Sequence, residues 1–138
     1  DEVLKFGEHF VPRRFGGETI LVVGRFFHDV PAHFDGMVSI GPFACLPTRI
    51  IEAILAAESR VRGNERLRNL PIHGQIESLV NLPFLSIESD GNPFPQIIEA
   101  QIEAFCLQVD RMHRRRTETP PRVPPPHARR ARARAARR

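Results

Sequence analysis

The sequence predicts an α/β fold: a small parallel sheet flanked by helices, part of a larger Rossmann-like domain, with a disordered basic tail. Three observations lead there. Two short apolar runs, "MVSI" (37–40) and "LPFLSIES" (82–89), are bounded by turn residues, as buried parallel strands are. Helical patterns precede, separate and follow them, and that alternation implies βαβ packing with a right-handed crossover. The charge is also divided. Residues 114–138 carry ten Arg against one acid, Glu118, whereas residues 1–113 carry ten Lys or Arg against fifteen Asp or Glu. The net charge of +4 therefore describes a basic tail on a mildly acidic domain.

The elements follow in order. "DEVLKFGEHFVPRRFGG" contains the end of a helix and a loop closed by Gly16-Gly17. In "GETILVVGRFFHDV", Ile20, Val23, Phe27 and Val30 keep helical spacing, so a helix is preferred to the strand that "TILVV" alone would allow. Asp35-Gly36 is a turn into the first strand. A helix over 48–61 buries Ile50, Ile51, Ile54, Leu55 and Val61, with Thr48 as its cap and Gly63 as its stop. "NERLRNLPIHGQIESLV" reads as a connection with one short helical turn. After the second strand, "DGNPF" is a turn. The last helix, 96–112, places Ile97, Ile98, Ile102, Phe105, Cys106 and Val109 on one face.

The tail is low in complexity and has almost no apolar side chains. Its proline-rich middle favours extended backbone, so it cannot offset the entropy of ordering. It is either a solvated extension or an arm that binds nucleic acid and other polyanions non-specifically. No aromatic residues interleave with its arginines to stack on bases. No apolar run reaches the ~18–20 residues that span a bilayer, and no signal peptide opens the chain. Two cysteines make no disulfide framework, so reduced thiols and a cytoplasmic location are expected.

The corner "SIGPFACLPTRIIEAIL" (39–55) carries the chemistry. Ligands of open α/β sheets bind where strands end and helices begin. Cys45 sits there, where the partial positive charge of a helix N-terminus favours a thiolate, the form that attacks and ligates metal. Gly41 and Pro42 make a tight turn that lets backbone approach a bulky ligand. The plain alternative is a small buried filler. Cys106 is read as core. Asp90-Gly91-Asn92-Pro93 leaves the second strand as Cys45 leaves the first, and is either an ordinary turn or the polar wall of the same cleft. His28 and His33 make no local metal spacing, and no phosphate loop or hydrolase triad is present.

"FDGMVSIGPFACLPTRIIEAIL" followed by "NLPFLSIESDGNPFPQIIEAQIEAFCLQ" resembles the C-terminal part of 2-hydroxyacyl-CoA dehydratase-type proteins. It is most similar to the dehydratase-like region of CoA-dehydratase activase-related proteins, over residues 1–112. The resemblance implies an oxygen-sensitive 4Fe-4S cluster used in low-potential electron transfer. Cys45 would be one ligand, with Gly41, Pro42 and Phe43 shaping the cluster or substrate side. It also implies an ATP-dependent activase partner, an acyl-CoA substrate and further cysteines outside this chain, since such clusters take three or four thiolates. No nucleotide-binding motif is present, so this chain alone is expected neither to hydrolyse ATP nor to dehydrate a substrate. The expected organisation is an α/β domain at 1–113, the C-terminal piece of a larger protein, and a tail at 114–138. The alternative function is a non-catalytic α/β interaction module with a polyanion-binding tail. Two strands make a poor independent sheet, so the rest of a parent protein or another copy of the chain is expected to complete it.

Overall fold

A computed structural model describes residues 2–15, 17–89 and 95–118. In order these form α1 (Glu2–Glu8), α2 (Thr19–Ala32), β1 (Met37–Pro42), α3 (Leu46–Glu58), α4 (Glu65–Arg68), α5 (His73–Ile76), β2 (Phe84–Ser89) and α6 (Pro95–Glu118). A 3-10 turn at Arg13–Phe15 precedes α2.

Helix α2 lies at the centre. Its Ile20, Val23, Phe26, Phe27 and Val30 are all buried, and so is Pro31 in its last turn. A proline so close to the end forfeits little of the hydrogen-bond ladder, so the helix continues past it instead of breaking. His33 and Phe34 then donate their N–H groups to the Asp29 carbonyl. Helix α1 packs closely on α2. A methyl group at Gly7 would strike Ile20, and one at Gly24 would strike the Val3 carbonyl, so backbone meets backbone at both crossings. Phe10 stacks on Phe27 with ring centres 4.0 Å apart.

The sheet is the expected one: β1 and β2 pair in parallel, from Met37 opposite Phe84 to Pro42 opposite Ser89. Met37, Ser39, Gly41, Phe84, Ser86 and Glu88 share one face. Phe84 meets Phe26 of α2 edge to face, and Gly41 abuts Thr48 of α3, so this face is turned to those helices. The opposite face carries Val38 and Ile40 from β1, and Leu85 and Ile87 from β2. Helix α6 contacts β2, and Leu85 and Ile87 are buried. Val38 and Ile40 remain 44% and 72% exposed.

Three expectations change. The connection between α3 and β2 contains two short helices and supplies Leu67, Leu70, Ile72, Ile76, Leu79 and Leu82 to the core. Cys106 is exposed, as are Ile97 and Ile102. The inward stripe of α6 is Phe105, Val109, Met112 and Arg116, one helical turn after another. Helix α6 also runs through Glu118, so Arg114, Arg115 and Arg116 of the arginine-rich segment are helical. Arg116 holds Asp35 at 2.8 Å and donates to the carbonyls of Phe34 and Ala32. Residues 119–138 and the Asp90-Gly91-Asn92-Pro93 turn lie outside the described residues.

On α2, Asp29 is buried against His28 and Arg25, and Glu2 of α1 approaches His28. The Asp29 contact holds the His28 pKa above its usual 6.5, against an opposing effect of burial. Burial pushes the Asp29 carboxyl up, but the His28 and Arg25 contacts together outweigh it and leave the pKa below 3.8. The raised His28 stabilises the fold fully below pH 6.5, and that contribution is lost as pH rises through its folded value. The lowered Asp29 stabilises above pH 3.8, and that contribution is lost as pH falls through its folded value. The joint contribution of these two groups is therefore greatest between about pH 4 and 6.5. In thermal melts, His28→Gln should lose much of the decline seen between pH 6 and pH 8.5. An unchanged decline would place the titration elsewhere.

Candidate functional site

The corner forms at the carboxyl ends of both strands. The Phe43 N–H bonds the Ser89 carbonyl at 3.0 Å, extending the ladder one step beyond Pro42. The Cys45 N–H then returns to the Pro42 carbonyl at 3.1 Å, closing a turn over 42–45. Ala44 adopts φ 56° within it. That left-handed conformation favours glycine and costs an alanine about 1 kcal/mol. The turn points the chain into α3, with Cys45 as its N-cap and Pro47 within the first turn. Thr48 is therefore not the cap: it lies inside the helix, buried, with its side chain against Gly41.

The positions expected to carry chemistry are thus gathered at one corner but do different things. Cys45 is half-buried, and its side chain makes no capping hydrogen bond. Phe43 is 69% exposed and Pro42 is also exposed. Gly41 is buried, and Thr48 fills the space above it. A missing side chain here admits a neighbouring helix of the same chain.

Residues that the motif reading passed over stand beside this corner. Arg49 of α3 pairs with Glu52 at 2.8 Å and reaches Glu88 of β2 at 3.5 Å. The other Glu88 oxygen is buried without a hydrogen-bond partner among the described residues, and so is the Ser86 hydroxyl. Buried polar atoms without partners are uncommon and call for an explanation. The signal was present in "FLSIES", where Ser86 and Glu88 alternate with Leu85 and Ile87 in a run read only for its apolar members.

A 4Fe-4S cluster needs three or four thiolates. Among the described residues, no three His, Cys, Asp or Glu side chains converge as metal ligands. The residues present do not by themselves hold such a cluster, and Cys45 fits it only as a single ligand. No helix among the described residues is long and apolar enough to cross a membrane.

The Gly41–Thr48 contact gives a direct test. Gly41→Ala should cost about 1–3 kcal/mol, the usual penalty for overpacking a filled site. Thr48→Ala in the same chain should recover part of it, since the two sites touch. Additive losses in chemical denaturation would show that the contact is not what makes residue 41 a glycine.

Comparison with protein-family models, with curated proteins and with solved structures finds no match to this chain.

Proposed function

We propose that this chain is a non-catalytic α/β interaction module that completes its sheet through the outer edge of β1, paired with a second copy of itself. The observation that carries the reading is the exposure of Val38 and Ile40 on a parallel strand. Parallel strands are normally covered on both faces. Phe43 and Leu46, each 69% exposed, extend the apolar surface past the end of the strand. The order Val38-Ser39-Ile40 suits a two-fold axis at Ser39. Antiparallel pairing there sets Val38 opposite the partner's Ile40 and Ile40 opposite the partner's Val38, as an isologous contact requires. The sheet then has four strands, a size that sustains itself. Two free thiols suit the cytoplasm for such a module.

Light scattering on the full chain tests this. The wild type should run as a dimer whose dissociation follows concentration, and Ile40→Glu should run as a folded monomer. A monodisperse wild-type monomer at high concentration, or an Ile40→Glu dimer, overturns the reading.

A second reading retains the resemblance to the iron–sulfur dehydratase and activase-related proteins. In it Cys45 supplies one thiolate to a 4Fe-4S cluster whose other ligands lie outside this chain, with Gly41, Pro42 and Phe43 beside it and an acyl-CoA or an activase as partner. The half-buried, uncapped position of Cys45 before a 13-residue helix supports it. Anaerobic reconstitution of the parent protein that carries the other cysteines should give iron and sulfide that Cys45→Ala loses and Cys106→Ala keeps. Equal iron in both variants removes Cys45 from that role.

A further inference from the structure

Away from the sheet, the segment after α3 folds against the C-terminal half of α6 and leaves a cleft of about 250 Å³. Val61 and Leu79, both buried, are among the residues that line it. Its rim is cationic. Arg62 comes from the turn after α3, Arg68 from the end of α4, and Arg115 from α6, while the His73 ring opens α5. Among the described lining residues, Glu77 is the one acid beside three arginines.

These arginines differ from most others in the fold. Arg13, Arg25, Arg49, Arg66, Arg114 and Arg116 each meet a carboxylate within 3.4 Å. Arg62 and Arg68 form no ion pair among the described residues, and Arg115 donates only to the Ser78 carbonyl, at 3.2 Å. Three like charges beside a single carboxylate leave a positive excess, and an anion relieves that repulsion. The fold holds them in place. The Val61 N–H bonds the Val80 carbonyl at 3.0 Å and joins the two sides of the cleft. Gly63 takes φ 82° in the turn that carries Arg62, and Asn64 caps α4 through the N–H groups of Arg66 and Leu67.

We infer that this cleft is a binding site for a small phosphate-bearing ligand. Guanidinium groups bind phosphate through paired N–H donors, so three arginines lining one cleft suit a phosphate or diphosphate group better than a single carboxylate. The volume lies just below the ~300–1,000 Å³ of pockets that enclose whole drug-sized ligands. The cleft therefore takes the phosphate end of a ligand and leaves the remainder outside. The site lies within the folded part and does not depend on the β1 edge.

Titration of the full chain with pyrophosphate, followed by calorimetry and by the His73 ring resonances, tests the inference. One saturable site is expected, with the His73 signals shifting along the same curve. Arg62→Gln/Arg68→Gln should weaken it at least about tenfold, or ~1.4 kcal/mol. Both side chains are exposed, so the variant should keep the wild-type melting curve, and Arg115→Gln offers an independent check. Replacing the arginines of 122–138 with glutamine should leave pyrophosphate binding in place. Unchanged affinity in Arg62→Gln/Arg68→Gln, loss of binding with the 122–138 replacements, or binding of a single-stranded oligonucleotide without pyrophosphate binding would overturn it.

Discussion

Everything in the described fold is arranged around one enclosed helix. Phe26 and Phe27 are adjacent on α2, and both are fully buried. Adjacent positions on a helix point about 100° apart, so burying both requires cover from more than one direction. Phe27 is covered by Phe10, from the loop after α1, and Phe26 by Phe84 of β2. Helix α3 and the segment before β2 fill further sides with Ile51, Leu55, Leu67 and Ile76. The sheet is thus one of several walls around a helix, and it meets that helix through Phe84. Close packing of this kind leaves little slack, and Gly7 and Gly24 permit the tightest of the contacts.

The same arrangement shows which features were legible in the sequence. Both strands, their parallel pairing, α2, α3 and α6 follow from apolar runs and spacing, because each has a local pattern that tertiary packing reinforces. Residues 64–80 were harder. Leu67, Leu70, Ile72, Ile76 and Leu79 occur among prolines, glycines and charges, and helices of four residues are too short to show a period. Their burial depends on α2 and α6, both distant in sequence. The face of α6 was misjudged for a related reason. Its first turns carry Ile97, Ile98 and Ile102, which dominate any apolar stripe, yet the inward face runs through Phe105, Val109, Met112 and Arg116, in the later turns. A pattern identifies which residues could be buried, and only the partner surface decides which are.

The candidate corner was partly legible. The position of Cys45 ahead of a helix was legible, but Gly41 and Pro42, read as the tight turn, pair with Glu88 and Ser89 inside β1, and the turn closes one step later, over 42–45. The assignment of Gly41 to a ligand did not follow, because Thr48, one turn into α3, already occupies that space. Ser86 and Glu88 were missed because they stand in a run whose apolar members explain it well enough. The arginines of the cleft come from three separated stretches, around residues 62, 68 and 115. No spacing rule joins them, and only the fold brings them to one place.

The clamp at Arg116 bears on how the molecule carries force. Helix α6 has 24 residues, about 36 Å of rigid rod at 1.5 Å per residue. Its C-terminal end is fastened through Arg116 to the Asp35 carboxylate and the carbonyls of Ala32 and Phe34, with His113 on the same carboxylate. Those acceptors are the last residue of α2 and two residues of the short link from it to β1. A pull on the chain after Glu118 is therefore delivered to the junction of the central helix and the sheet. Lengthwise tension would have to shear several bonds together, whereas a sideways pull would open them one at a time. The end of α6 acts as an anchor whose strength depends on direction.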